Sequence, residues 1–542
     1  MQAITQNIVH EWSFVSKRPY NDPFNEIQLD VLFTGVDGTT QRVPAFWAGD
    51  NLWRVRFSTP KLSHFHYYTV CSDERNPDLH GVTGVFEVTP YRGPNPLLQH
   101  GPVRVAANDN RHFEFADGTP FLWLADTWWM GFCQRMDWPR SFQTLALDRV
   151  DKGFNVIQIV AGLYPDMMGF EARGANEAGF PWEADFSRIN PAYFDFADRR
   201  IQYLVDVSLM PCIVGCWGYY LKLLGSDTIK QHWRYLIARY GAYPVFWCLA
   251  GEQTMPFYLS EDKEADAEFQ RQGWSELAAY VREIDPYHRP VTVHPGQDGR
   301  EQMSPPTLID FEMLQTGHDD RRSLPNTVES VRRSVARTPT MPVIDAEVCY
   351  EGIGEASRQE VQRLMFWVCM LNGAAGHTYG ANGIWQVNTR EQPYGPSPHG
   401  LAWGNTPWDE AMRLPGSAQV GLGKRLLERY EWWRFEAHPE WVEPHWSADN
   451  YFAGYAAGIP GEMRLIFWPS TFSSGVVKQI EPDVIYRAFL FNPANGDELD
   501  LGVVEPDENG DWALPIGNSG WRVMPIFQDW VLVLDARGEG GA

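Results

Sequence analysis

The sequence predicts an α/β protein built on a (β/α)8 barrel, with one antiparallel β-sandwich before the barrel and another after it. Three observations carry this. Residues 1–95 alternate polar and apolar with period two; about 110 to 435 hold short apolar runs separated by helix-length segments; beyond about 436 the alternation returns. A chain of 542 residues also exceeds the roughly 250–300 residues at which single cores stop growing. The expected division is therefore 1–95 (sandwich), 96–435 (barrel) and 436–542 (sandwich).

In the first segment "EIQLDVLFTG", "NLWRVRFSTP" and "HFHYYTVCSD" read as strands, with "VDGTTQ" as a turn between them. "PYRGPNPLLQHG" is the linker that ends it. His64 and His66 share a strand face, but no third metal ligand lies near them. The barrel strands are read at 121–126, 154–162, 210–217, 245–251, 289–295, 311–316, 341–347 and 373–380. Parallel strands covered on both faces read as continuous apolar runs, as these do. Helices fall at 226–241, with Ser226 and Asp227 at its N-cap and Gly241 at its C-cap, and at 265–285. After 436, "YFAGYAAGIP", "MRLIFWPS", "VIYRAFLFNPANGDEL" and "GWRVMPIFQDWVLVLD" give the second sandwich.

Composition narrows the function. A formal charge of −24 argues against nucleic acid, whose binding needs Lys and Arg to neutralise phosphates, and against an anionic membrane surface. The 24 Trp serve either as core or as flat platforms for sugar rings. No run of about 18 apolar residues occurs, so no membrane span is expected. "MQAITQNIVHEWSF" has no basic segment followed by a long apolar one, so a cytoplasmic location is expected. Cys71, Cys133, Cys212, Cys216, Cys248, Cys349 and Cys369 sit mostly in apolar runs as packed free thiols.

In a barrel of this kind the C-terminal strand ends carry the chemistry. Strand 1 offers Asp126, Trp128 and Trp129, strand 2 Tyr164 and Asp166, and strand 3 Trp217, Tyr219 and Tyr220. Strand 4 ends on Glu252, strand 5 on His294, and strand 6 on Gln315 and His318. Strand 7 gives Glu347 and Tyr350, and strand 8 His377, Tyr379, Asn382 and Trp385. Glu252 and Glu347 stand roughly opposite across the barrel mouth, as glycoside hydrolysis requires of an acid and an ionised partner. The aromatics would stack on sugar C–H faces, while His, Asn and Gln would bind hydroxyls. Asp345 has the strand parity of Glu347 and is expected inside the barrel, orienting a neighbour. Glu351 is expected to be solvated or to support a neighbour, Asp126 is either a hydroxyl ligand or a structural tie, and His377 either a ligand or a core histidine.

Three segments, "HFEFADGTPFLWLADTWW" (112–129), "YPVFWCLAGE" (243–252) and "MPVIDAEVCYEG" (341–352), resemble the signature segments of the apiosidase-like (β/α)8 glycoside hydrolases, the group containing glycoside hydrolase family 140. The resemblance extends to both flanks: "NDPFNEIQLDVLF" with "WRVRFSTP" is similar to their N-terminal β-sandwich. "VIYRAFLFNPANGDELDLG" and "FQDWVLVL" are similar to their C-terminal sandwich, which has been likened to a collagen-binding module. It implies Glu252 as general acid/base and Glu347 as nucleophile of a retaining exo-glycosidase, acting on apiose or another furanoside in a small oligosaccharide or plant glycoside. Some relatives carry Asp at the strand-4 position, one methylene shorter than the Glu here.

No cofactor or metal is expected, and the partner is a carbohydrate. Rival readings are an enzyme of the same layout specific for a pyranoside, and a non-catalytic carbohydrate-binding protein on the same scaffold. A metal-dependent hydrolase using Asp126, Asp166, His294 and His318 lacks an HExxH or HxH pattern at a strand end. The two appended sandwiches give surfaces on which copies of the chain could pair as a homo-oligomer.

Overall fold

The structure, a computed structural model, describes residues 2–469, 475–514 and 524–536. Its centre is a sheet of eight parallel strands: β1 (Trp123–Thr127), β2 (Val156–Val160), β3 (Met210–Val214), β4 (Phe246–Cys248), β5 (Val291–Thr292), β6 (Glu312–Gly317), β7 (Val343–Val348) and β8 (Gly376–Tyr379). Their order is β5-β4-β3-β2-β1-β8-β7-β6. Every residue of these strands is buried except Gln315 and Gly317 of β6, which explains the continuous apolar runs. The runs are longer than the strands because they continue into buried loops.

Seven helices cover the sheet: α1 (Arg140–Asp151), α2 (Pro191–Asp206), α3 (Ser226–Tyr240), α4 (Lys263–Ile284), α5 (Leu324–Val335), α6 (Gln359–Leu371) and α7 (Pro415–Leu427). The expected helix between β5 and β6 is replaced by two short 3-10 turns, Arg300–Gln302 and Pro306–Leu308. The barrel closes at that seam through the loop after β5. Gln315 N donates to Gln297 O at 3.0 Å and Gly299 N to Met313 O at 3.1 Å, so the loop lies antiparallel on β6. The ends of α3 also differ from expectation. Gly225 holds the N-cap and Ser226 lies inside the first turn. Gly241 is the C-cap but keeps a right-handed φ of −60°. A Cβ there would lie 2.7 Å from Ile237 O, so close packing rather than a left-handed cap requires glycine.

The barrel floor is sealed by a small sheet of Val103–Val105, Phe113–Phe115 and Pro120–Phe121. Its Phe113 meets Phe246 of β4 and Phe311 edge-on, at 5.4 and 5.2 Å between ring centres, and Trp123 of β1 packs on Phe246 at 4.9 Å. Such edge-to-face pairs add about 0.5–1.5 kcal/mol each beyond area burial. The floor is thereby filled by packed rings, leaving the opposite end for chemistry.

Before the barrel, a five-stranded sheet faces a three-stranded one, and after it a six-stranded sheet faces another of three strands. The N-terminal pair docks through Arg56, which donates to Arg239 O at 2.8 Å and pairs with Asp198 of α2. The C-terminal strands include Tyr455–Ile459, Met463–Trp468, Arg487–Phe491, Glu498–Val503 and Trp530–Asp535. Positions 470 and 520–523 of the expected strands lie outside the described residues. The seven cysteines are free and buried. Among the described residues no helix is long and apolar enough to cross a membrane.

One irregularity matters for the site. Along β6 and β7, Leu314 faces Asp345 and Gln315 faces Glu347, so Ala346 is an extra residue on β7. A bulge reverses side-chain parity. Asp345 consequently turns to the helix layer rather than into the barrel: Thr316 Oγ1 donates to it at 2.8 Å and Cys369 of α6 lies at 3.6 Å. Burial there pushes its carboxyl up to about 7. Glu347, past the bulge, is aimed at the mouth.

Candidate active site

A cavity of about 210 Å³ opens at the C-terminal end of the barrel, and Glu252 and Glu347 both line it. Glu252 lies four residues past β4, on a short extension in which Gly251 bridges Trp217 in parallel. A Cβ on Gly251 would sit 2.3 Å from the Trp217 ring, so the glycine makes room for the indole. The left-handed turn out of the barrel falls on Glu252 itself, at φ 40°. That conformation is costly for a residue with a side chain, by roughly 1–3 kcal/mol, and such strain clusters where a side chain must be aimed. The Trp217 indole N–H then donates to Glu252 Oε2 at 3.2 Å.

Glu347 is almost fully buried, with His318 Nε2 2.8 Å from Oε1 and His294 Nε2 3.3 Å from Oε2. Gln315, on β6 between the two acids, links them. Its Nε2 donates to Glu252 Oε1 and to Glu347 Oε1, each at 3.2 Å, so those oxygens lie within twice that distance of each other.

The electrostatics separate the pair. Burial pushes the Glu252 carboxyl up, the nearby Glu347 charge adds to this, and the Gln315 hydrogen bond opposes it only in part. Burial also works against ionisation of Glu347, but the His294 and His318 imidazoles outweigh it and hold that carboxyl well below the usual range. One acid therefore tends to keep its proton while the other tends to stay charged. Asp166, the third carboxylate of the pocket, is pushed up by burial against hydrogen bonds from Tyr258 and from Trp403, whose indole donates at 3.2 Å.

Of the other residues expected here, Trp129, Asp166, Trp217, His318, Tyr350 and Trp385 also line the cavity. Trp129 donates to the Tyr350 hydroxyl at 3.0 Å, and Gly380 is glycine because a Cβ would lie 2.1 Å from the Tyr350 ring. His294 sits behind the wall against Glu347, its ring edge-on to Trp129 at 5.2 Å. The remaining candidates face elsewhere. Asp126 is fully buried, accepting from Arg149 Nε at 2.6 Å and from the Trp128 indole at 2.7 Å, so both Asp126 and Trp128 tie β1 to α1. Tyr164 hydrogen-bonds Tyr193 of α2 at 2.7 Å, and Tyr219 donates to the carbonyls of Tyr164 and Met167. Tyr379 donates to Glu351 at 2.6 Å, which makes Glu351 a buried tie to β8 rather than a solvated acid. Asn382 accepts from Gln386 at 3.1 Å. His377 is buried edge-on to Phe366 of α6, and burial lowers it to about 3, so it is a neutral core histidine.

The sequence reading did not find Pro165, Met255, Tyr258, Ile353, His399 and Trp403, which complete the wall from loops. The aromatic residues at 258 and 403 were the available signal. Among the described residues no group of three or more His, Cys, Asp or Glu could hold a metal ion. The arrangement can donate a proton from one carboxyl and present the other as a nucleophile to a ring held among aromatic faces.

A family model described as apiosidase-like, catalytic domain, matches residues 107–434, and one for a domain of unknown function, DUF5060, matches residues 5–73. No curated protein matches the chain. Among solved structures, a Bacteroides vulgatus protein assigned as a glycoside hydrolase is similar over 99% of this chain and 100% of its own, with a TM-score of 0.71 at 18% identity. A family 5 glycoside hydrolase from the same organism is similar over 83% of this chain and 96% of its own, with a TM-score of 0.66 at 20% identity. These two likenesses concern the fold.

Proposed function

We propose that this chain, which belongs to the apiosidase-like family and is a glycoside hydrolase, is a retaining, exo-acting enzyme that releases a terminal sugar from a small glycoside. The observation that carries the reading is the glutamate pair: two carboxylates sharing one Gln315 amide, one pushed toward its protonated form and the other toward its charged form. In this mechanism Glu347 attacks the anomeric carbon as Glu252 gives its proton to the departing oxygen. Water then attacks the anomeric carbon of the glycosyl-enzyme, Glu252 takes the water's proton, and Glu347 leaves as carboxylate. Two inversions give net retention.

Sharing of the Gln315 amide favours retention, because it brings one oxygen of each acid within twice 3.2 Å of the other. That leans toward the short carboxyl separation of retaining enzymes and away from most of the roughly 6.5–9.5 Å range of inverting ones. The exo reading draws on cavity size. At about 210 Å³ it is smaller than the roughly 300–1,000 Å³ typical of pockets for drug-sized ligands, and fits one sugar ring better than a chain. Apiose or another furanose is the first candidate for that ring because of the family, with pyranosides as the rival. Free, buried thiols favour a reducing compartment as the site of action.

The test is a screen of aryl glycosides, furanosides first, with the product anomer followed by proton NMR. The reading predicts that the first product has the configuration of the substrate. First formation of the opposite anomer contradicts the double displacement, and turnover of pyranosides alone contradicts the furanoside assignment.

A further inference from the structure

We infer that the leaving-group side of the pocket binds an uncharged, apolar aglycone, so that the substrates are small glycosides of apolar alcohols or phenols rather than acidic oligosaccharides. This rests on the glycosidase reading, with Glu252 as proton donor, because the departing group must leave beside the acid that protonates it.

Beside Glu252 the chain turns at once, Met255 N donating to Glu252 O at 2.8 Å, and the β4 loop lines the pocket with Met255 and Tyr258. The β8 loop meets it there. His399 packs edge-on to Tyr258 at 5.0 Å, and Trp403 reaches across to Asp166. Most polar groups of this wall are already engaged: the Tyr258 hydroxyl accepts Asp166 N–H at 3.2 Å, the Asp166 carboxylate accepts the Trp403 indole N–H, and His399 Nδ1 lies 2.6 Å from Ser397 Oγ. What remains for a ligand on this side is chiefly hydrocarbon and ring surface.

Both loops also expose a large apolar side chain. Leu259, directly after Tyr258, is 64% exposed, and Leu401, between His399 and Trp403, is 55% exposed. Each of the two loops that frame the pocket thus leaves a large apolar side chain in water, which an apolar ligand extending along it would cover.

Charge points the same way. Three carboxylates, Asp166, Glu252 and Glu347, line the cavity, and no Lys or Arg does so among the described residues. A uronate would meet the Glu347 charge where the effective dielectric is low, without the guanidinium fork that usually holds a carboxylate. Arg173 is occupied, paired with Glu171 and donating to the carbonyls of Tyr394, Pro396 and Asp166.

The experiment uses the full chain and the sugar that the aryl-glycoside screen identifies. Its methyl and n-hexyl glycosides have leaving alcohols of nearly equal acidity, so their kcat/KM ratio reads contact with the added methylenes rather than bond reactivity. The expected ratio is about tenfold or more in favour of hexyl, less than full burial of five methylenes would give. The Leu259→Ser, Leu401→Ser double variant should shrink that ratio toward one. A wild-type ratio near one overturns the inference, as does a higher kcat/KM for a disaccharide with a uronic acid in the leaving position. No turnover of any glycoside overturns the glycosidase reading itself, and this inference falls with it.

Discussion

The ends of β4 and β7 present the same functional group in contrasting surroundings. Glu252 follows a strained turn and has an indole and a carboxamide for neighbours, neither of which carries charge. Glu347 follows a bulge and lies against two imidazoles. Burial raises both carboxyls, so burial is not what distinguishes them; the charge partners decide. A third carboxylate sharpens the lesson. Asp126 is as buried as any residue in the protein, yet it is locked to Arg149 and the Trp128 indole, away from the cavity. A buried acid at a strand end becomes a candidate for chemistry only when its partners leave it room to exchange a proton or meet a ligand.

The largest effect is expected at β7. Glu347→Gln removes the proposed nucleophile and should lower kcat by about 10⁴-fold or more, with sugar binding by calorimetry retained. It should also lower the Glu252 pKa, since the Glu347 charge helps to raise it; a carboxyl titration followed by NMR checks this. At β4, Glu252→Ala should cost about 10²–10⁴-fold on an alkyl glycoside, the usual contribution of a general acid. On an activated aryl glycoside, glycosylation should lose much less, read as the pre-steady-state burst of phenol. Equal losses in that step for both substrates would break the contrast between the two ends.

Asp126→Ala tests the third acid. Removing one partner of a buried ion pair should lower the unfolding free energy by about 3–5 kcal/mol, measured by denaturant titration, with KM unchanged for the enzyme that remains folded. A raised KM with normal stability would return Asp126 to the substrate.

The smallest effect is in the pH profile. In the proposed mechanism Glu347 must be ionised, and its depressed pKa keeps it so until the pH falls through that value. Glu252 must be protonated, and its raised pKa keeps it so until the pH rises through that value. The profile of kcat/KM should therefore be a bell with a broad acid side. His318→Ala takes away one of the groups that hold Glu347 down, so the acid limb should move up by about one pH unit while the alkaline limb stays.

Much of this frame was legible in the sequence, because eight parallel strands buried on both faces must read as apolar runs, and Glu252 and Glu347 stand as acids at the ends of two such runs. Harder to read was everything set by pairing between distant segments. Parity assigned Asp345 to the barrel interior, and the bulge at Ala346, which depends on register against β6, turned it outward. Asp126 looked like Glu252 in one dimension; only the packing of α1 brings Arg149 to it, 23 positions later. The missing helix after β5 is a seam closed by backbone hydrogen bonds, which leave no signature in side-chain pattern. His399 and Trp403 come from the long stretch after β8, whose path no periodicity encodes.

The central claim is that Glu347 is the nucleophile and Glu252 its acid partner. The most direct measurement incubates the enzyme with a 2-deoxy-2-fluoro glycoside of its preferred sugar, carrying a good leaving group, and maps the labelled peptide by mass spectrometry. The account predicts a single glycosyl adduct on Glu347, formed with loss of activity and slowly reversed as activity returns. An adduct on Glu252 or another residue, or steady hydrolysis of the fluoro-glycoside to the inverted product with no adduct, would contradict it.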